Sequence, residues 1–105
     1  MNSFSTLVLK GLKENIPSAI DKMAPEFSTH QLILELAHKN QRAYVDALNE
    51  VASDIPFKEV HSAIGKELKQ LAIQPDARIR EKEAKTRSKD IFGQESSCSI
   101  WEKLA

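Results

Sequence analysis

Apolar residues recur at helical spacing through the first two thirds of the chain. The clearest case is 57–72, where they fall at positions i, i+3, i+7, i+11 and i+14, with His61 at i+4, on one face of an α-helix. The same spacing predicts helices over 28–40 and 40–52. Before them, Pro17 and Pro25 divide the chain into two shorter helical pieces, because the residue before a proline avoids helical backbone. The first piece carries an apolar stripe formed by Phe4, Leu7, Val8, Gly11 and Leu12.

Start signals accompany two of these helices. Ser28 is a preferred N-cap residue, and Gln31 follows three residues later, where its side chain can reach the backbone N–H of the cap. Pro56 precedes the helix over 57–72, and proline suits the first turn of a helix. The sequence therefore predicts compact helices joined by short turns.

The pattern changes after Pro75. From there to residue 89, Ile79 is the one large apolar residue. Oppositely charged residues stand four positions apart twice, in Glu81 with Lys85 and in Glu83 with Arg87. Such pairs stabilise an exposed helix by about 0.2–0.5 kcal/mol each, so this stretch is predicted to be a solvated helix.

The C-terminal tail carries the next apolar residues. Ile91-Phe92-Gly93 is interpreted as a stop or an anchoring point, and Ser96 or Ser97 as the cap of a last helical turn. That turn would carry Ile100, Trp101 and Leu104. Together these elements predict an all-α protein, a compact bundle of four to five short helices. The helical domain covers 1–74, and a helical or partly disordered connector with the tail covers 75–105.

Composition narrows the possible functions. Fifteen basic residues balance fifteen acidic ones, which argues against a general polyanion binder, because non-specific nucleic-acid affinity scales with the phosphates neutralised. The single cysteine, Cys98, excludes an internal disulfide and fits a reducing compartment. The apolar run at 7–9 is interrupted by Lys10, which makes a poor signal peptide, and no stretch approaches the roughly 20 apolar residues of a membrane span. We therefore expect a cytoplasmic protein with no membrane partner.

No catalytic or metal-binding motif accounts for the polar residues. Glu35 and His38 have the i, i+3 spacing of a carboxylate–histidine metal motif, but the second motif that such a site needs is missing. His30 is expected at the surface, whereas His61 falls on the apolar stripe, where a hydrogen-bonded core histidine is expected. Cys98 would need a neighbouring histidine to act as a nucleophile. We expect no enzyme, no cofactor and no small-molecule substrate.

Two surfaces are candidates for binding a partner. The stretch 78–89 holds six basic residues and two acidic ones, a net charge of plus four. As a helix it would either be a solvated connector or present one basic face, formed by Arg78, Lys82, Lys85 and Lys89. The second surface is an apolar cluster that either folds back onto the core or docks into another molecule, formed by Ile100, Trp101 and Leu104. The expected partner is another protein or a second copy of the chain.

The helices over 28–71 are also compatible with a helix-turn-helix. In that interpretation 57–72 is the recognition helix, and it presents to DNA the side chains of Lys58, Ser62, Lys66, Lys69 and Gln70. Glu59 and Glu67 share this helix and would face phosphates unfavourably. A small DNA-binding regulator is therefore the alternative to a non-catalytic protein-binding or adaptor module.

Two groups of residues resemble a set of short, uncharacterised bacterial proteins. The first group is Phe27-Ser28-Thr29-His30 with Leu32-Ile33, Asn40-Gln41-Arg42-Ala43-Tyr44, and Pro56-Phe57 with Val60-His61. The second group is Asp90-Ile91-Phe92-Gly93 with Cys98 and Trp101. The resemblance spans 27–101 and includes no catalytic motif. It implies a bacterial origin and a winged-helix-like body, and it assigns no activity or site residue.

Overall fold

The computed structural model describes residues 10 to 104 of the chain. Its helices are α1 (Ile16–Lys22), α2 (Thr29–Lys39), α3 (Gln41–Glu50) and α4 (Pro56–Ala72). Its strands are β1 (Glu26–Ser28), β2 (Ile79–Lys89) and β3 (Glu95–Lys103). Residues 10–13 are also helical. The rest of the predicted first stripe, including Phe4, Leu7 and Val8, lies outside the described residues.

The starts predicted from Ser28 and Pro56 are confirmed, whereas the cap predicted at Ser96 or Ser97 is wrong, because these residues lie in β3. Ser28 caps α2, because its hydroxyl accepts a hydrogen bond from the Gln31 N–H at 3.1 Å while Gln31 Oε1 accepts one from the Ser28 N–H at 2.8 Å. Pro17 and Pro56 lie in the first turns of α1 and α4, where a missing N–H costs no helical hydrogen bond. The buried face of α4 consists of Val60, Ala63, Ile64 and Leu68.

The prediction of an all-α protein is wrong. The chain has an α+β fold, in which β1, β3 and β2 form, in that spatial order, a three-stranded antiparallel sheet. The stretch predicted as a basic helix is mostly β2, and the predicted C-terminal helical turn is β3. The four basic residues assigned to one helical face therefore do not share such a face: Arg78, Lys82, Lys85 and Lys89.

The sequence pattern did not predict the strands, because so little of β2 is buried. A strand is recognised from apolar residues that alternate with polar ones, but in β2 the one buried side chain is Ile79. A register shift between Glu81 and Lys85 interrupts the alternation further. Backbone pairing with β3 and the cross-strand ion pair of Arg80 with Glu102 hold the strand instead. These partners come from another segment, so spacing within 79–89 does not reveal them.

The sheet and the helices share one hydrophobic core. Trp101 is 1% exposed in the central strand, in register with Phe27 on one side and Glu81 on the other. Its indole N–H donates to Thr29 Oγ1 at 2.8 Å. Ile79 is also 1% exposed, and the deeply buried helical residues are Leu12, Ile16, Leu32, Leu36, Val60, Ile64 and Leu68. Of the two alternatives for the tail, folding back onto the core is the one that the structure has.

A tight turn joins β2 to β3 and holds Phe92. The Asp90 carbonyl accepts from the Gly93 N–H at 3.0 Å, and Asp90 Oδ1 accepts from the N–H groups of Phe92 and Gln94 at 2.9 Å and 3.0 Å. Gly93 has a φ of 82°, a left-handed conformation that glycine adopts without steric cost. The turn brings the Phe92 ring next to the ring of Phe57, in the first turn of α4.

Candidate binding groove between α4 and the hairpin

A groove of about 1060 Å³ runs between α4 and the β2–β3 hairpin. The first residues of α2 line it as well. Phe57 and Lys69, both lining residues of α4, are twelve positions apart, which corresponds to about 18 Å along a helix axis. The groove is therefore long enough to have two chemically different ends.

One end of the groove is apolar and exposed. Phe57, Ile55 and Phe92 are 39%, 50% and 57% exposed, and all three line the groove. The Phe57 and Phe92 rings meet edge to face, with centroids 4.9 Å apart and planes at 89°. The other exposed large apolar side chains of the described residues lie outside this groove: Leu34, Val45, Ile73 and Leu104. The apolar end is thus the place where such side chains converge.

His61 lies behind this aromatic pair. Its ring centroid is 6.2 Å from that of Phe57 and 6.5 Å from that of Phe92, and its Nε2 is 2.6 Å from the Tyr44 hydroxyl oxygen. Burial lowers the pKa of His61 from its ordinary 6.5, although the Asp90 carboxylate opposes this. Burial also raises the pKa of Tyr44 to about 12. A neutral His61 can accept at Nε2 a hydrogen bond donated by the Tyr44 hydroxyl. The predicted hydrogen bond is therefore present, but His61 is half-buried and lines the groove instead of lying in the core.

Acidification is expected to destabilise the protein in part through His61. Because its folded-state pKa lies below the ordinary 6.5, the unfolded chain takes up a proton that the folded chain does not. The stabilisation is present above about pH 6.5 and is lost as the pH falls from there towards the folded-state pKa. The lowered pKa values of Glu81, Asp90 and Glu102 add a separate loss in more acidic solution.

The measurement is the free energy of unfolding in urea across this pH range for the wild type and for His61→Gln. The variant should lose less stability between about pH 7 and about pH 5 than the wild type does. If the free energy of unfolding changed with pH in the same way for both proteins, His61 would not contribute to the acid destabilisation.

At the other end of the groove the lining residues Lys69, Lys85 and Ser99 form a polar network with Glu81. Glu81 Oε2 accepts from Lys69 Nζ at 3.0 Å and from Ser99 Oγ at 2.7 Å, and Lys85 Nζ lies 3.7 Å from the same oxygen. Lys85 also donates to Ser99 Oγ at 3.1 Å. The Ser99 hydrogen bond lowers the pKa of Glu81, burial opposes it, and both lysines lower it further. Two ammonium groups therefore share one ionised carboxylate.

A second polar cluster adjoins the groove. His30, expected at the surface, is half-buried, and its Nδ1 lies 2.7 Å from Ser88 Oγ. Ser88 Oγ in turn lies 3.5 Å from Cys98 Sγ, and Ser96 Oγ lies 3.4 Å from His30 Nε2. Because Ser88 stands between the imidazole and the thiol, His30 is not placed to deprotonate Cys98 directly.

The structure separates the residues predicted to bind a partner. Arg78 pairs with Asp21 at 3.2 Å and Lys82 pairs with Glu26 at 2.6 Å, and neither basic residue lines the groove. Lys85 does line it. Of the remaining predicted residues, Lys89 and Leu104 are exposed, Ile100 is half-buried and Trp101 is buried. Because its indole is buried, Trp101 cannot anchor a separate molecule while this fold persists.

The residues predicted to face DNA are all exposed on α4: Lys58, Ser62, Lys66, Lys69 and Gln70. Three of them line the groove, namely Lys58, Ser62 and Lys69. The same helix also carries Glu59, which is exposed, and Glu67, which pairs with Lys13 at 3.6 Å. The exposed face of α4 is therefore mixed in charge.

Neither a metal centre nor a membrane-spanning helix is found within residues 10 to 104. Glu35 is half-buried and His38 is exposed on α2, and in that part of the chain no group of three or more potential ligands could hold a metal ion. No helix there is long and apolar enough to cross a membrane. No protein-family model, curated protein or solved structure matches this chain. The groove is the feature from which function is best argued.

The sequence patterns did not reveal the apolar end of the groove. The helical stripe assigns Phe57 to the buried face of its helix, and Ile55 lies before that stripe, next to Pro56. Phe92 follows Ile91 and precedes Gly93 in an otherwise polar stretch. This short apolar interruption was the one sequence signal that pointed to the apolar end of the groove. Only the pairing of β2 with β3 places Phe92 against Phe57.

Proposed function

We propose that this chain is a non-catalytic protein-binding or adaptor module of the bacterial cytoplasm, and that its groove holds a segment of the partner. The observation that carries the proposal is the convergence of three exposed apolar side chains, Ile55, Phe57 and Phe92, at one end of the groove. The resemblance to short bacterial proteins supports the cellular setting. A sequence with one cysteine fits a reducing compartment.

The aromatic pair is suited to binding a protein. Apolar surface removed from water stabilises a complex by about 25 cal/mol per Å², and aromatic residues are enriched among those that contribute most to protein interfaces. Phe57 is held by α4, and Phe92 is held by the turn around Asp90. Since both backbones are already ordered, binding would cost little conformational entropy there.

Replacing Phe92 with serine is expected to weaken the binding of groove ligands by roughly thirtyfold. An aromatic residue at the centre of an interface contributes about 2 kcal/mol or more to the binding free energy. Ligands are obtained by selecting short linear peptides, displayed on phage, against the immobilised full chain. The affinities of the synthesised peptides are then measured for each variant.

Leu34→Ser is the matched control for Phe92→Ser. Leu34 is also 57% exposed, but it lies on α2 outside the groove. Peptides that bind both variants equally well would place the binding site elsewhere. That outcome, or a selection that yields no peptide, would refute the proposal.

A DNA-binding regulator is the second candidate. In this candidate α4 would be the recognition helix of the helix-turn-helix expected from the sequence. It is the weaker candidate, because three basic side chains of the hairpin are each paired with a carboxylate: Arg80, Lys82 and Arg87. Titration of a labelled DNA duplex at increasing salt tests it, since phosphate contacts weaken steeply with salt. Undetectable binding at low salt would eliminate this candidate.

A further inference from the structure

Two lysines converge on the polar end of the groove from opposite walls. Lys69 comes from α4 and Lys85 from β2, and both reach the Glu81 carboxylate, at 3.0 Å and 3.7 Å. Two ammonium groups beside one carboxylate leave a net charge of plus one. The lysine side chains are 55% and 56% exposed, so both remain accessible to a ligand.

The charges along the groove have a direction. Asp54 and Asp90 line the apolar end, next in sequence to Ile55 and close to Phe92, and Lys58 lies there as well. At the other end the lining residues are the two lysines and Ser99, whose hydroxyl is hydrogen-bonded to Lys85 and Glu81. A carboxylate in the groove would be repelled by the aspartates and attracted by the lysines. An apolar side chain would favour the opposite end.

We infer, resting on the proposed function above, that the groove takes an extended acidic peptide segment of the partner. An aspartate or glutamate of the segment lies between Lys69 and Lys85, and an apolar side chain of the same segment lies against Phe92. An extended chain advances about 3.3 Å per residue, so the separation of about 18 Å along α4 places these two anchors about five positions apart in the segment.

A nucleic acid fits this charge pattern less well. A phosphate backbone carries negative charge along its whole length, so part of it would face Asp54 and Asp90. A peptide can place an uncharged apolar residue at that position. The pattern therefore favours an acidic peptide over DNA or RNA.

The experiment uses selected peptides whose binding to the full chain depends on Phe92. We expect them to carry an acidic residue about five positions from an apolar one. Lys85→Gln should weaken their binding about two- to fivefold, the range of a partly exposed ion pair. Lys66→Gln is the matched control, because Lys66 is exposed on α4 outside the groove, and it should leave binding unchanged.

A change in the peptide completes the comparison. Replacing its acidic residue by the corresponding amide should weaken binding to the wild type and abolish the effect of Lys85→Gln. Thermal unfolding checks that each variant is folded, and Lys69→Gln repeats the test from the other wall.

The possible outcomes separate the two proposals. Binding that depends on Phe92 but not on Lys85 or Lys69 would overturn the acidic segment and leave protein binding intact. Peptide affinity that does not change in Phe92→Ser would refute the proposed function itself. Displacement of the peptides by duplex DNA at low salt would identify a nucleic acid as the occupant and overturn the inference.

Discussion

Replacing Trp101 with alanine is expected to lower the free energy of unfolding by about 3–5 kcal/mol. The indole is 1% exposed, so the truncation leaves a cavity in the core, and it also removes the 2.8 Å hydrogen bond to Thr29. Trp101 lies in the central strand, paired on both sides, so the loss affects the whole sheet. Domains are stable by about 5–15 kcal/mol in total, so this one change removes a large share.

Urea denaturation followed by circular dichroism measures this loss. Trp101→Phe is the matched control, because it keeps an aromatic ring and should cost less than the alanine variant. The wild type offers a second readout, since Trp101 is the one tryptophan of the chain. Its fluorescence should be blue-shifted and protected from acrylamide. Emission like that of the unfolded chain would contradict the buried position.

Replacing Ile79 with alanine is expected to cost about 2–5 kcal/mol. Ile79 is 1% exposed and is the one buried side chain of β2. It is the first residue of the strand and pairs with Lys103 in β3, so its side chain anchors the start of the strand in the core. Its removal should destabilise the hairpin and, with it, one wall of the groove.

Ile73→Ala is the matched control for Ile79→Ala. Ile73 lies just after α4 and is 74% exposed, so its truncation should change stability by no more than about 0.5 kcal/mol. Chemical denaturation of both variants gives the comparison. Equal stability of the two variants would mean that β2 is not docked through Ile79.

The groove depends on the same anchoring. Phe92 reaches Phe57 only while the hairpin is paired and docked on the helices. Variants that destabilise the core should therefore reduce the affinity for groove ligands indirectly, whereas Phe92→Ser reduces it by changing the surface of the groove. Thermal stability measured beside affinity separates the two effects.

The sequence by itself determined the helices and their starts. The apolar stripe of α4 has the helical period, and a stripe of this kind must be buried whatever packs against it. Ser28 and Gln31 cap α2 through bonds formed within four residues of chain. Such signals are local, so one segment contains both partners of each interaction.

The tertiary structure alone decided the sheet and the groove. β2 is a charged edge strand with one buried residue, and its pairing partners lie in β3. Glu81 and Lys85, whose spacing suggested a helix, are neighbours here beside a register shift in a strand. Phe57 and Phe92 are far apart in the sequence and meet because the hairpin packs against α4. Contacts between distant segments depend on how the whole chain packs, so no local pattern of residues encodes them.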